Sequence, residues 1–207
     1  MSEIGVFEKW AATYDSSVAS SRTYYARYDE VLDFVAEKAG AAPGVRILDI
    51  GTGTGNLAVR CAEKGTRVVG LDPSLGMLKQ AETKRAGRPG IEFVHAREPF
   101  VQIPYPDAAF GAVVSTYAFH HIPNETKPEC VREMLRVLKP GGMLVLGDLI
   151  FQDAEAEQRA LAECEWLEEE FFTRISELRP LLAELGMDLD CRQFTPVTWV
   201  LSVRKPI

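Results

Sequence analysis

Apolar residues along the chain fall into short continuous runs and longer helical stripes. Five runs have the length and character of buried parallel strands. They occupy residues 45–50, 67–71, 91–95, 110–115 and 143–148. Three amphipathic stripes at helical spacing separate some of these runs, over residues 56–64, 74–85 and 127–138. This alternation predicts an α/β fold, a doubly wound and mostly parallel sheet with right-handed crossovers.

Both ends of the chain add to this core. Phe7 and Trp10 begin an amphipathic pattern within residues 1–42, which we expect to form a helical cap. The serine- and tyrosine-rich residues 15–25 are predicted to form a lid loop over a ligand. At the other end, residues 188–194 and 197–204 are predicted to form an antiparallel hairpin closing the sheet edge, for seven strands in all.

The boundaries follow from these patterns. We expect one domain over residues 1–207, with a core at 43–150 that holds the ligand. Residues 151–207 supply cap helices and the closing hairpin, including a glutamate-rich helix over 153–170.

The first strand ends in a turn with glycines at alternate positions, Gly51, Gly53 and Gly55. Such residues adopt positive φ and let a ligand approach the main chain, while the following helix offers unpaired N–H groups. A dinucleotide fingerprint requires Gly or Ala where this chain has Asn56, which disfavours a nicotinamide or flavin domain.

Two carboxylates flank the turn and indicate the ligand. Asp72 ends the second strand, where an acid accepts hydrogen bonds from ribose hydroxyls. Asp49, just before the turn, is placed to bind a cationic amino group. A ligand that combines an ammonium, a carboxylate and a ribose is S-adenosylmethionine.

These motifs resemble those of the class I S-adenosylmethionine-dependent methyltransferases. Residues 48–55 resemble their first motif and residues 70–74 their second. Tyr14-Asp15 also resembles an N-terminal segment whose tyrosine lies beside the cofactor in that class. The resemblance and the predicted strand ends together give these candidate cofactor-binding residues: Tyr14, Asp49, Gly51, Thr52, Gly53, Gly55, Asp72, Pro73, Met77, Arg97, Glu98 and Ser115.

The third strand departs from the family pattern. Many relatives have a Gly-Asp pair after this strand, with the acid binding the adenine amino group. Here Arg97 lies near the acidic position, with Glu98 beside it. Either Glu98 or backbone groups bind the adenine, or Arg97 stacks on the ring. His95, at the strand end, is interpreted as structural.

The loop after the fourth strand carries the candidate catalytic residues Tyr117, His120 and His121. An imidazole accepts a proton near neutral pH, although structural hydrogen bonding of one ring is an equally good interpretation. The loop lacks the (Asp/Asn)-Pro-Pro-(Tyr/Phe) element found in nucleic-acid N-methyltransferases. Together with residues 171–175 and Tyr14-Asp15, it resembles the uncharacterised bacterial YrrT-like methyltransferases.

Charge and composition restrict the partners. The formal net charge is −7, which disfavours binding to a phosphate backbone. We find no secretory signal in the first residues, no membrane-spanning apolar run, and no metal-binding spacing among the four cysteines and three histidines. We therefore predict a cytoplasmic monomer or homodimer with no metal, no nucleic-acid partner and no membrane contact.

The predicted function is transfer of a methyl group from S-adenosylmethionine to a small molecule. An alternative of another class is a module that binds S-adenosylmethionine or S-adenosylhomocysteine without turnover, because the cofactor half of the sequence is clearer than any catalytic half. A nicotinamide oxidoreductase is the third interpretation.

Overall fold

A computed structural model describes residues 3–168 and 170–207. Met1 and Ser2, which contribute to the signal-peptide prediction, lie outside these ranges, as does Glu169 of the predicted 153–170 helix. No helix in the described ranges combines the length and apolar character needed to cross a membrane.

The helices of the described chain lie on both faces of one sheet. They are α1 (Glu3–Trp10), α2 (Tyr14–Ser20), α3 (Tyr28–Lys38), α4 (Asn56–Glu63), α5 (Leu75–Arg85), α6 (Lys127–Val137), α7 (Ala154–Glu163) and α8 (Ile175–Glu184). The strands are β1 (Arg46–Ile50), β2 (Arg67–Asp72), β3 (Ile91–His95), β4 (Phe110–Thr116), β5 (Leu138–Phe151), β6 (Thr173–Arg174), β7 (Leu189–Gln193) and β8 (Thr198–Arg204).

The main sheet has the order β3-β2-β1-β4-β5-β8-β7. The first five strands in this order are parallel, and β8 pairs antiparallel with both β5 and β7. The predicted fold class and the C-terminal hairpin are confirmed. The predicted count of seven strands misses a short eighth, because the two-residue β6 pairs with the end of β5.

Side chains from β1 alternate between two hydrophobic cores, as a pleated strand requires. Leu48 and Ile50 pack with the core under α6 and α8, whereas Ile47 packs with the core under α3 and α4. Both neighbours of β1 are parallel to it. The chain continues from β1 to β2 on one side of this pair and from β4 to β5 on the other side. A crevice at such a switch point is where ligands bind in doubly wound sheets.

Three predicted segments differ from the structure by more than one residue at a boundary. Residues 14–20 form α2 instead of a loop, because Ser16 and Ser20 donate side-chain hydrogen bonds back to carbonyls three residues earlier and Val18 is buried. The 153–170 helix stops at Glu163, after which Leu167 joins a small separate core. Strand β5 begins at residue 138, through the expected glycine turn.

Candidate active site

The glycine turn brings main chain close to the strand ends. Gly51, Gly53 and Gly55 have φ of 70°, 55° and 81°. A Cβ at Gly51 would lie 2.4 Å from the Cβ of Ala118, so the turn packs against the loop after β4. A Cβ at Gly53 would meet nothing within 4 Å. The middle of the turn is therefore open to a ligand while its first residue is closely packed.

Asp49 lies at the end of β1 and is 1% exposed. Thr52 donates a hydrogen bond of 2.6 Å to Oδ2, and Oδ1 has no partner among the described residues. Burial and, to a lesser degree, the charge of Asp72 raise the pKa of Asp49 to about 7, against the effect of the Thr52 hydrogen bond. A buried carboxylate with a free oxygen is suited to bind a cation.

Asp72 is held at the opposite edge of the same turn. Its Oδ2 accepts the Gly53 amide at 2.8 Å and its Oδ1 accepts the Ser74 amide at 2.9 Å. Burial raises the pKa of Asp72 to about 6, although both hydrogen bonds act in the other direction. Each oxygen keeps a lone pair that can accept a hydroxyl.

The other cofactor candidates lie around this edge. Ser74 caps α5 by accepting the amide of Met77, whose side chain is buried. The carbonyl of Pro73 lies 3.1 Å from Nε2 of His95. Arg97 and Glu98 follow β3 and both are exposed. Recognition of adenine by Glu98 or by Arg97 therefore stays a prediction.

The end of β4 contributes Ser115 and Tyr117. Ser115 is 1% exposed, and its hydroxyl has no partner in residues 3–168 and 170–207. Tyr117 has φ of 50°, an uncommon conformation for a bulky residue, and its ring stacks on Tyr28 with centroids 5.3 Å apart. Burial raises the pKa of Tyr117 far above its ordinary value, so this phenol stays protonated and takes up a proton only if it passes its own to another group.

His120 is completely enclosed and hydrogen-bonded on both ring nitrogens. It is 1% exposed, with Nδ1 at 2.5 Å from Oδ1 of Asp148 and Nε2 at 2.8 Å from the hydroxyl of Tyr24. The other Asp148 oxygen accepts the amides of Phe119 and His120, and Oδ1 also accepts that of Leu149. Burial raises the pKa of Asp148, but His120, the Leu149 amide and His121 together outweigh it, and the pKa is lowered overall.

His121 lies in a different environment. Its ring contacts the ring of Phe7 edge-on at 4.9 Å, and its Nδ1 lies 3.7 Å from a carboxylate oxygen of Glu170. Its side chain is 24% exposed. The neighbouring His121 lowers the pKa of Glu170. The two adjacent histidines thus differ: one is buried within a network and the other lies at the rim.

The N-terminal helices are fastened over the glycine turn. Glu8 of α1 accepts hydrogen bonds from the Ser74 hydroxyl and the Gly76 amide at the start of α5. Asp15 of α2 accepts one from Thr54 at 2.8 Å and pairs with Lys84 at 2.7 Å. Tyr14, a predicted cofactor residue, packs in a cluster of aromatic rings between α2 and α3.

Four residues at this site were outside the named candidates: Glu8, Asp15, Tyr24 and Asp148. Asp148 ends the predicted fifth strand, a position from which the sequence allows contact with substrate while favouring a structural role. Tyr24 lay in the predicted lid, but its partner is 96 positions away, and no local pattern indicates that pairing.

A general methyltransferase domain matches residues 47–142 of the chain. An uncharacterized methyltransferase of Geobacillus kaustophilus (strain HTA426) is 34% identical, over 98% of this chain and 96% of that protein. This chain belongs to the same methyltransferase family. The uncharacterized methyltransferase YrrT of Bacillus subtilis (strain 168) is 30% identical, over 98% of the methyltransferase described here and 97% of YrrT.

Solved structures agree with this assignment at the level of fold. The DhpI–SAH complex aligns with a TM-score of 0.73 at 19% identity, covering 99% of this methyltransferase and 95% of DhpI. The predicted enzyme assignment, a methyltransferase, is confirmed by these relatives, and the structural match confirms the predicted Rossmann-like fold. The free oxygen of Asp49 and the open face of Gly53 fit the predicted methyl donor, S-adenosylmethionine.

Proposed function

We propose that this methyltransferase transfers a methyl group from S-adenosylmethionine to a small molecule bound beside the glycine turn and the loop after β4, beneath the N-terminal helices. The observation that carries the proposal is the covered edge of the sheet. Helices α1 and α2 are fastened to α5 and to the turn, and Tyr24 from the segment after α2 reaches the buried His120. A site beneath such a cover suits an acceptor of metabolite size.

Each cofactor residue is assigned a role from its contacts. Asp49 binds the ammonium with its free Oδ1, and Asp72 accepts the ribose hydroxyls. The amides of residues 51–55 and Thr52 bind the amino-acid portion, as expected of a turn at a helix N-terminus. Pro73 and Met77 lie beside the ribose and adenine, with Arg97 or Glu98 at the adenine edge. Tyr14 and Ser115 border the site.

When bound, the donor supplies a methyl carbon that is already electrophilic on its sulfonium. The protein therefore contributes alignment of the acceptor and exclusion of water more than activation of the methyl group. Among the three predicted catalytic residues, the contacts favour His120 as proton acceptor, because Asp148 is hydrogen-bonded to its Nδ1 and fixes the orientation of the ring. His121 and Tyr117 are assigned to the walls of the site.

Two further properties agree with a metabolite acceptor. The net charge of −7 opposes binding of nucleic acid. The four cysteines are unpaired, with Cys61 and Cys130 buried, which suits the reducing cytoplasm.

The test is methyl transfer from donor labelled in its methyl group to a panel of small metabolites, with tRNA and a protein mixture as comparison acceptors. We expect label in at least one small molecule and none in the polymers. The Asp72→Ala variant is the matched control, because it removes the proposed ribose contact. Transfer to polymers alone would overturn the small-molecule proposal. Tight S-adenosylhomocysteine binding with no transfer to any acceptor would favour the binding module instead.

A further inference from the structure

The tautomer of His120 follows from the groups around it. Asp148 accepts three backbone amides, and its pKa is lowered overall, so it is ionised and can only accept hydrogen bonds. The proton between Asp148 and His120 therefore lies on Nδ1. In the neutral ring, Nε2 is then the acceptor.

The direction of the second hydrogen bond is fixed by the first. In the neutral ring Nε2 of His120 accepts, so the hydroxyl of Tyr24 donates. Burial raises the pKa of Tyr24 well above its ordinary value, in agreement with a phenol that keeps its proton. The donated proton leaves the oxygen lone pairs of Tyr24 free, and the residue is only partly buried.

The backbone of His120 is anchored from the C-terminal side of the chain. Its carbonyl accepts the amide of Phe171 at 3.1 Å, and the carbonyl of Phe171 accepts a hydrogen bond from the buried Lys127. His120 is consequently a fixed element, whereas Tyr24 belongs to the N-terminal segment that covers the site. The Tyr24 hydroxyl occupies Nε2 of His120, the nitrogen that would otherwise accept a proton from a substrate.

We propose that Tyr24 is the residue that takes the proton from the methyl acceptor, with His120 and Asp148 as the proton sink behind it. This inference rests on the proposed function and narrows its substrate class to neutral acceptors that carry an O–H or N–H group. The acceptor atom forms a bond to the methyl carbon as the carbon–sulfur bond breaks. Its proton passes to the Tyr24 oxygen, and the Tyr24 proton passes to Nε2 of His120. The transferred proton ends on the His120 ring, whose Nδ1 is hydrogen-bonded to Asp148.

The arrangement also makes proton transfer depend on a docked cap. Tyr24 reaches His120 only while α2 is held on the turn through Asp15. Among the described residues, the other charged or titratable groups around the pair are Tyr25, Tyr117, His121, Glu170 and Lys127.

Nitrogen NMR of the whole protein tests the hydrogen-bond directions without any turnover. The chain has only three histidines, so His95→Gln and His121→Gln assign the remaining ring to His120. We expect a protonated Nδ1 and an unprotonated Nε2 in His120. Tyr24→Phe should shift the Nε2 resonance and leave Nδ1 protonated. A protonated Nε2, or a Tyr24→Phe spectrum identical to that of the parent, would overturn the proposal.

Kinetics with the acceptor found in the panel test the proton path. Tyr24→Phe should lower kcat about 100-fold, the typical effect of a general acid–base group, with unchanged affinity for S-adenosylhomocysteine. Tyr105→Phe removes a hydroxyl from a ring that packs against Phe110 and should leave kcat unchanged. A kcat of Tyr24→Phe within twofold of the parent would exclude the relay. A parent enzyme that methylates nothing would instead refute the proposed function, and the NMR result would still decide the hydrogen bonds.

Discussion

The site has a cofactor half, formed by Asp49, Asp72 and the glycine turn, and an acceptor half, formed by Tyr24, His120 and Asp148. The buried carboxylates of the two halves have opposite environments. In the cofactor half, Asp49 has one oxygen without a partner among the described residues, and its pKa is raised to about 7. In the acceptor half, Asp148 is equally buried but accepts three amides and a histidine, and its pKa is lowered overall. We propose that a cationic ligand completes the first half, whereas the second is organised before any ligand binds.

The halves meet at Gly51, and a substitution there should have the largest effect. Gly51→Ala places a Cβ 2.4 Å from that of Ala118 at a φ of 70°. We expect a loss of about 2–5 kcal/mol in the free energy of unfolding, from the left-handed conformation and from overpacking. Urea denaturation measures it. Gly53→Ala is the matched control, because its Cβ meets open space; it should lose about 1–2 kcal/mol from the conformation alone. Equal losses would contradict the proposed packing.

Neutralising the buried carboxylate of each half should change the free energy of unfolding differently in the two halves. Asp148→Asn disrupts a satisfied buried pair and should cost about 3 kcal/mol of stability at pH 8. Asp49→Asn should leave the free energy of unfolding unchanged or raise it. The pKa of Asp49 is higher in the folded protein than in the unfolded chain, so its ionisation opposes folding from about pH 4 upward and fully above about pH 7. A destabilised Asp49→Asn protein would refute this distinction.

Asp72→Ala should lower the affinity for S-adenosylhomocysteine about 10- to 100-fold, the range expected for hydrogen bonds to a charged group. The variant also removes the acceptor for the Gly53 amide, which loosens the turn. Calorimetry at pH 8 gives the affinity. Asp107→Ala removes an exposed carboxylate paired with Arg136 and should bind the ligand normally. An unchanged affinity in Asp72→Ala would remove this residue from the site.

The pH dependence of S-adenosylhomocysteine binding should report the titration of Asp49 in the cofactor half. Asp49 is protonated in the free protein below about pH 7. A ligand ammonium favours its ionised form, so binding at lower pH requires loss of that proton. The affinity for S-adenosylhomocysteine should therefore fall about tenfold per pH unit below that value. Calorimetry in buffers of different ionisation enthalpy should detect proton release at pH 6. Asp49→Asn should bind weakly with a flatter profile; a steep profile in this variant would assign the titration elsewhere.

Arg97→Ala should have the smallest effect. Arg97 is exposed, and an exposed charge or stacking contact contributes at most about 1 kcal/mol. Affinity for S-adenosylhomocysteine should change by less than about fivefold. Glu98→Gln, measured in parallel, distinguishes the two adenine hypotheses: a larger loss in Glu98→Gln would favour a hydrogen bond over ring stacking.

The sequence by itself determined the cofactor half, because that half is local. Asp49 and Gly51 belong to one strand–turn unit, Gly53 and Asp72 lie 19 positions apart within one β-α-β unit, and apolar periodicity was enough to place both strands. The fold class followed from the same periodicity, since continuous apolar runs between amphipathic stripes have few other solutions.

Only the tertiary structure decided the acceptor half. Tyr24 and His120 are 96 positions apart, and His120 and Asp148 are 28 apart, on elements that meet because the sheet order puts β5 beside β4. Tertiary packing also gives His120 and His121 different environments, although they are the same residue type and adjacent in the chain. One of them faces into the fold toward Asp148 and the other toward the rim, and that direction is set by packing, which no local pattern records.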